Sequence, residues 1–288
     1  EALAKLSPYF NVVETDGRPG DFAETMAMIG RIRKAGYDRV YDLQTNGRTN
    51  GYFQLLRPFP PQWSGIAVGC SLPQKGSARL TMHTLERQAD QLRAAGRPLV
   101  FVNRRDPGDE TSPFVGIDDH AAGFAVAQHW LAQDKAGPFG LLHASLSFSA
   151  GQRRAAGFVA GLVAGGVAEA EILRGTGSGK SHLAIGHAGM GALLAGPRVP
   201  RRILCLSDLI AYGAYRRLSE AGLRVPDDVA LFGFDDNPLN AWIAPWLSAV
   251  KIPYDDFGPV VVATLAALLD EAQAKACFMP HELVIRGG

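Results

Sequence analysis

The feature that most limits what this chain can fold into is a repeated exchange between short apolar runs and longer stretches with helical spacing. LVFVN (99–103), VGID (115–118), FGLLHA (139–144), EILR (171–174), ILCLSD (203–208) and VALFGFDD (229–236) each read as a strand. Helical patterns follow at 120–132, 152–165, 182–195 and 209–221. Strands that are apolar throughout and alternate with amphipathic helices imply parallel sheets covered on both faces. The strands are too many for one sheet. The expected architecture is α/β, with two doubly wound, Rossmann-like lobes.

The N-terminal third keeps the same rhythm with weaker signals. NVVE (11–14) reads as a short strand and 21–35 as a helix stopped by Gly36. Tyr37 to Gln44 reads as a strand running into a polar loop, TNGRTNG. A short helix over 52–56 precedes the breaker PFPPQ, and WSGIAV (63–68) is the next strand. Residues 69–80 read as a loop and 85–95 as a helix ended by Gly96. At 288 residues, 47% hydrophobic and 20% charged, the chain is ordinary globular material of about two domains. Each apolar run is interrupted before the ~18 residues that a membrane helix needs. EALAKLSPYF lacks the layout of a secretory signal. A net charge of +1 predicts no bulk attraction to nucleic acid. Cys70, Cys205 and Cys277 have neither disulfide nor zinc spacing. A soluble, cytoplasmic protein is expected.

Few patterns speak for catalysis. GTGSGKS (175–181) lies between a strand and a helix, where a phosphate-binding loop would sit, but Arg174 replaces the first glycine of that pattern. The reading preferred here is a glycine-rich connection with Lys180 solvated. His182 and His187 lie five apart, and no histidine set has metal-ligand spacing. The paired acids 118/119, 227/228, 235/236 and 255/256 are of the type that glycosidases use, but three of the four pairs recur as turn and cap residues in the family resemblance given below, and no G-x-S-x-G elbow occurs. No cofactor, no metal site and no catalytic residue is expected.

From Arg97 onward, RPLVFVNRRDPG, FVGIDDHAAG, RRAAGF, ILCLSDLIAYGAYRRLSEAGLRVPDDVALFGFDD, PWLSAVKIPYDDFG and MPHELVIRGG occur in that order. Together they resemble the effector-binding core of the lactose-repressor (LacI) family of transcription regulators. The resemblance implies a fold like a type I periplasmic sugar-binding protein, with two lobes joined by three crossings near Asp118, Lys251 to Tyr254, and Phe278. The N-terminal lobe would then hold 1–117 plus 253–277, and the C-terminal, effector-binding lobe 118–252 plus 278–288. The helix 255–274 would return to the first lobe.

The first 96 residues, above all YDLQTNGRTN, resemble instead the N-terminal domain of lipopolysaccharide heptosyltransferase-like (family 9) glycosyltransferases. That family's nucleotide-sugar domain is not recognisable here, so Gln44, Asn46 and Arg48 read as a solvated loop. The two resemblances together describe a hybrid joined near residue 97. The leading expectation is a sugar-binding, LacI-type regulatory core that is not an enzyme. The alternatives are a glycosyltransferase fragment, or a chimera without function.

The LacI resemblance also implies the site. Asn103, Asp208 and Asp235 close strands at ends that face the crevice of an open α/β sheet. Arg154 would clamp hydroxyls or a carboxylate with its fork, and Ser207 would supply a polar contact. Phe148 could stack on a sugar ring. For Asp208 and Asp236, capping a helix or turn is the competing reading. The partners implied are a sugar-like effector, DNA only through a helix-turn-helix head not seen in this sequence, and, as a further option, a second copy in a homodimer. No membrane partner is implied.

Overall fold

The computed structural model describes residues 12–13, 19–74, 84–106, 109–133, 137–147, 149–270 and 275–286. The chain divides into two compact units, 1–97 and 98–288. The division falls where the two sequence resemblances meet. The strand expected over 11–14 lies largely outside the described residues.

The first unit begins with α1 (Phe22–Ala35), where the Asp21 side chain accepts from the Glu24 amide and Gly36, at φ 64°, ends the helix. A left-handed residue there is what glycine supplies at least cost. Then come β1 (Arg39–Tyr41), α2 (Gly47–Leu56), β2 (Gln62–Gly65), β3 (Leu72–Pro73) and α3 (Thr84–Ala94). The three strands form one parallel sheet in the order β1-β2-β3. Its core is Met28, Ile29, Phe53, Leu56, Trp63, Ala67 and Cys70. Two expectations change here. The stretch read as a polar loop starts α2, because Asn46 and Thr49 form a reciprocal capping box. The stretch read as loop from 69 contains the short β3.

The second unit contains β4 (Phe101–Val102), β5 (Phe114–Ile117), α4 (Asp119–Gln133), β6 (Phe139–Leu142), α5 (Ser149–Ala164) and β7 (Leu173–Gly175). It continues with α6 (His182–Leu194), β8 (Arg202–Cys205), α7 (Asp208–Glu220), β9 (Ala230–Asp235) and the single-turn α8 (Asn240–Ile243). Last come β10 (Ser248–Lys251), α9 (Phe257–Leu269), β11 (Cys277–Met279) and β12 (Glu282–Val284). Six strands form a sheet in the order β12-β10-β9-β8-β6-β7, parallel except for β12 at the edge. A separate parallel sheet runs β11-β5-β4. Thus, among the described residues, the strands expected to build one N-terminal lobe lie in two three-stranded sheets. β3 and β4 are each only two residues long.

Both faces of the six-stranded sheet are covered, as the buried apolar runs of its central strands β6, β8 and β9 require. One core gathers α4 and α5 around Trp130, Phe139, Phe158 and Phe232, and the other gathers α6 and α7 around Leu142, Met190, Ile203 and Leu231. The helix pairs approach closely through glycine. A Cβ on Gly157 would stand 2.0 Å from the His120 carbonyl oxygen, and one on Gly186 would stand 2.1 Å from that of Ile210. The glycine-rich 175–181 segment has the same explanation. Cβ atoms on Gly177 and Gly179 would press on Ala188 and Ala184 of α6, and Ser181 caps that helix.

Candidate functional site

Arg154 lies on the buried stripe of α5, beside Ala155, Phe158 and Leu162. A guanidinium that is 6% exposed must find partners, and it does. Its Nε donates to Asp119 Oδ1 at 2.8 Å and its Nη1 to the Leu206 carbonyl at 3.1 Å. Nη1 also stands 4.0 Å from Asp235 Oδ1, and the group lies 4.4 Å over the Phe234 ring. Burial pushes the Asp119 carboxyl up, against the pull of Arg154.

Asp235 is the last residue of β9, with φ 107°. Its Oδ1 accepts from the Tyr254 hydroxyl at 2.8 Å. Burial raises its pKa while Arg154, the Tyr254 bond, Arg104 and His182 oppose the rise. Tyr254 follows β10, and burial together with Asp235 raises its hydroxyl. Asn103 follows β4 in the left-handed region at φ 61°, its amide donating to the Val115 carbonyl at 2.8 Å. The Asn103 side chain opposes the rise of the Tyr254 hydroxyl, and its Oδ1 is buried without a hydrogen-bond partner among the described residues. Asn103, Arg154, Asp235 and Tyr254 thus form one cluster at strand ends of two different sheets. Acceptors, guanidinium donors and an aromatic ring occur together there, which is the chemistry that polyhydroxy compounds bind.

Ser207 and Asp208 sit differently. Ser207 caps α7, its Oγ accepting from the Ile210 amide at 3.3 Å and lying 3.1 Å from His182 Nδ1. Asp208 is buried, and its Oδ2 accepts from the Asn237 amide at 2.7 Å and from Asn240 Nδ2 at 2.9 Å. Its Oδ1 has no hydrogen-bond partner among the described residues, and a Cβ on Gly233 would lie 2.2 Å from it. Asp208 therefore fastens the loop after β9. Phe148 lies outside the described residues. Of the glycosyltransferase-like polar residues, Asn46 caps α2, Arg48 belongs to its first turn, and Gln44 Oε1 accepts from Asn46 Nδ2 at 3.3 Å, so they are not a plain loop.

Burial pushes Asp208 up to about 7, with Asp235 and Asp236 adding to the rise. Its folded pKa exceeds the unfolded value of 3.8, so the folded state keeps a proton that the unfolded chain releases. Stability is then lost as pH rises from about 4 through about 7, by up to about 4 kcal/mol. Asp208→Asn should flatten the fall of Tm between pH 5 and 8 relative to the parent. Two parallel Tm profiles would refute this reading.

Sequence reasoning did not name Asp119, Tyr254 or His182 as site residues. For Tyr254 the available signal was its place in the second crossing. For Asp119 it was the side-by-side acids. Asp118 does cap α4, accepting from the His120 and Ala121 amides, while its neighbour turns inward.

Residues 139–288, more than half of the chain, match the family described as periplasmic binding protein-like domain, and the chain belongs to that family. Within it, the matched region is a LacI-type effector-binding core. The HTH-type transcriptional regulator MalR of Streptomyces coelicolor is 34% identical over 69% of this chain and 58% of its own length. The probable repressor ExuR of Bacillus subtilis is 29% identical over 64% of this chain and 54% of its own length. The HTH-type regulator GalR of Escherichia coli is 30% identical over 64% and 51%. The chain spans about half the length of these curated relatives, which are named as regulators and repressors rather than enzymes.

Among solved structures, a regulatory protein of the LacI family from Chloroflexus aggregans superposes with TM-score 0.61 at 22% identity, over 93% of this chain and 83% of its own. A LacI family regulator from Enterococcus faecium, with bound ribose, gives 0.60 at 18% identity, over 90% and 82%. At such identities the likeness shows the fold. Nothing in these comparisons supports the glycosyltransferase resemblance of residues 1–96 or a hybrid. Among the described residues no helix is long and apolar enough to cross a membrane.

Proposed function

We propose that this chain binds a sugar-like effector at Asn103, Arg154, Asp235 and Tyr254, and serves as the sensing core of a cytoplasmic transcription regulator. The observation that carries the reading is the Arg154–Asp235–Tyr254 arrangement, a buried cation, a carboxylate and a phenol brought together from α5, β9 and the segment after β10. The relatives named as regulators and the ribose held by a similar structure point the same way. Lobe boundaries at 118, 253 and 278 belong to this reading. β11 joins the sheet of β5 and β12 joins that of β10, so the chain passes between two sheets at its third crossing. Action on DNA would come through a helix-turn-helix head, and a homodimer would pair two such cores.

Calorimetric titration with a panel of pentoses, hexoses and disaccharides tests the binding claim. At least one sugar should bind saturably, raise Tm by ligand linkage, and lose at least about tenfold in affinity in Asp235→Asn, as expected where a buried acceptor pair is unmade. No binding by any member of the panel would end the reading.

A further inference from the structure

A cavity of about 230 Å³ is lined by Arg105, Ser149, Arg153, Phe114, Phe278 and Asp119 among others. Arg105 lies across the Phe114 ring, 4.3 Å from its centroid. Its Nη2 is buried and has no hydrogen-bond partner among the described residues. Its backbone amide donates to Ser149 Oγ at 3.0 Å, which leaves the serine proton free to be donated elsewhere. Ser149 is 6% exposed and begins the 16-residue α5. Arg153, one turn on, reaches Asp118 at 3.4 Å and keeps its side chain 46% exposed. Burial and the neighbouring Arg153 both hold the Arg105 guanidinium below its ordinary value, while Asp109 and Glu110 oppose the shift. Of the acids lining the cavity, Asp119 is already engaged by Arg154, and Glu110 is exposed.

We infer that this cavity is a binding site for a small organic carboxylate, distinct from the sugar-type site. Two guanidiniums and a buried hydroxyl line it, and a desolvated N–H without a partner gains most from a charged acceptor. The apolar lining is Phe114, Phe278 and Ile117, with Phe278 half-exposed at 51%. Such a lining favours a ligand with a flat apolar body over a bare inorganic anion. The volume is below the usual range for drug-sized ligands, which limits the ligand to one ring or a short chain. The site shares only Asp119 with the arginine that reaches Asp235, and the inference does not rest on the sugar-binding reading.

The test is titration of the full chain at pH 7 and low salt with benzoate, acetate, inorganic phosphate and neutral benzamide. Benzoate should bind saturably and tightest of the four, and benzamide at least tenfold more weakly. Arg105→Gln should weaken benzoate at least tenfold, while Asp235→Asn should leave it within twofold. Equal affinity for benzoate and benzamide on the parent protein would overturn the inference whether or not Arg105→Gln folds. So would phosphate binding more tightly than benzoate, loss of benzoate binding in Asp235→Asn with a normal Tm, or benzoate binding only non-saturably at high concentration.

Discussion

Arg154→Leu should lower unfolding stability at pH 7 by about 3–5 kcal/mol and remove effector binding with it. Truncating one partner of a buried pair costs this much because the other charge is left without compensation. Here the orphan is Asp119, whose side chain is 5% exposed and whose carboxyl burial already drives toward the neutral form. The Leu206 carbonyl also loses its donor, and Asp235 loses its nearest cation. The cost should shrink as pH falls toward 5, because protonating Asp119 relieves it, and denaturant titrations at pH 5 and 7.5 would show the difference. Adding Asp119→Leu should restore most of the stability but none of the binding. If the single variant unfolds within about 1 kcal/mol of the parent at pH 7.5, the pair is not the strut described above.

The second large effect concerns backbone contact between helices. Gly157→Ala places a Cβ 2.0 Å from the His120 carbonyl oxygen. The obstacle is main chain, not the tip of a flexible side chain, so α4 and α5 must separate along their whole interface. Overpacking of this kind usually costs about 1–3 kcal/mol, and the rigid obstacle puts this case at the upper limit or beyond. Gly186→Ala, facing the Ile210 carbonyl at 2.1 Å, should behave alike. Gly30→Ala is the contrast. It lies inside α1 with nothing within 4 Å of a new Cβ, and should gain about 0.5–1 kcal/mol from helix propensity. Thermal unfolding of the three variants decides the point, and a Gly157→Ala protein as stable as Gly30→Ala would contradict it.

The second unit was legible because its signals agree. Apolar strands, helix stops and cap residues mark α6 and α7 to within a residue, and Ser181 and Ser207 cap as their type suggests. The first unit was harder because Asn, Gly and Thr serve turns and helix starts equally well. In TNGRTNG the reciprocal Asn46–Thr49 bonds and the burial of Phe53 and Leu56 decide for helix, and neither shows in local composition. The cluster at the candidate site was legible where a residue closes a strand, as with Asn103 and Asp235. It was illegible where the partner comes from far along the chain. Asp119 and Arg154 stand 35 residues apart, and Asp235 and Tyr254 stand 19 apart. Only the folded sheets state those pairings.

Asn103 and Asp235 both hold their backbones at positive φ. Non-glycine residues persist in that region at a cost of order 1–3 kcal/mol each. Glycine at either position would ease the backbone and remove the amide or carboxylate in the same step. If these two strand ends hold the effector as proposed, conformational comfort and ligand chemistry ask for different residues there. On that proposal, a version of this fold improved for heat resistance alone would be led toward losing its sense of the effector.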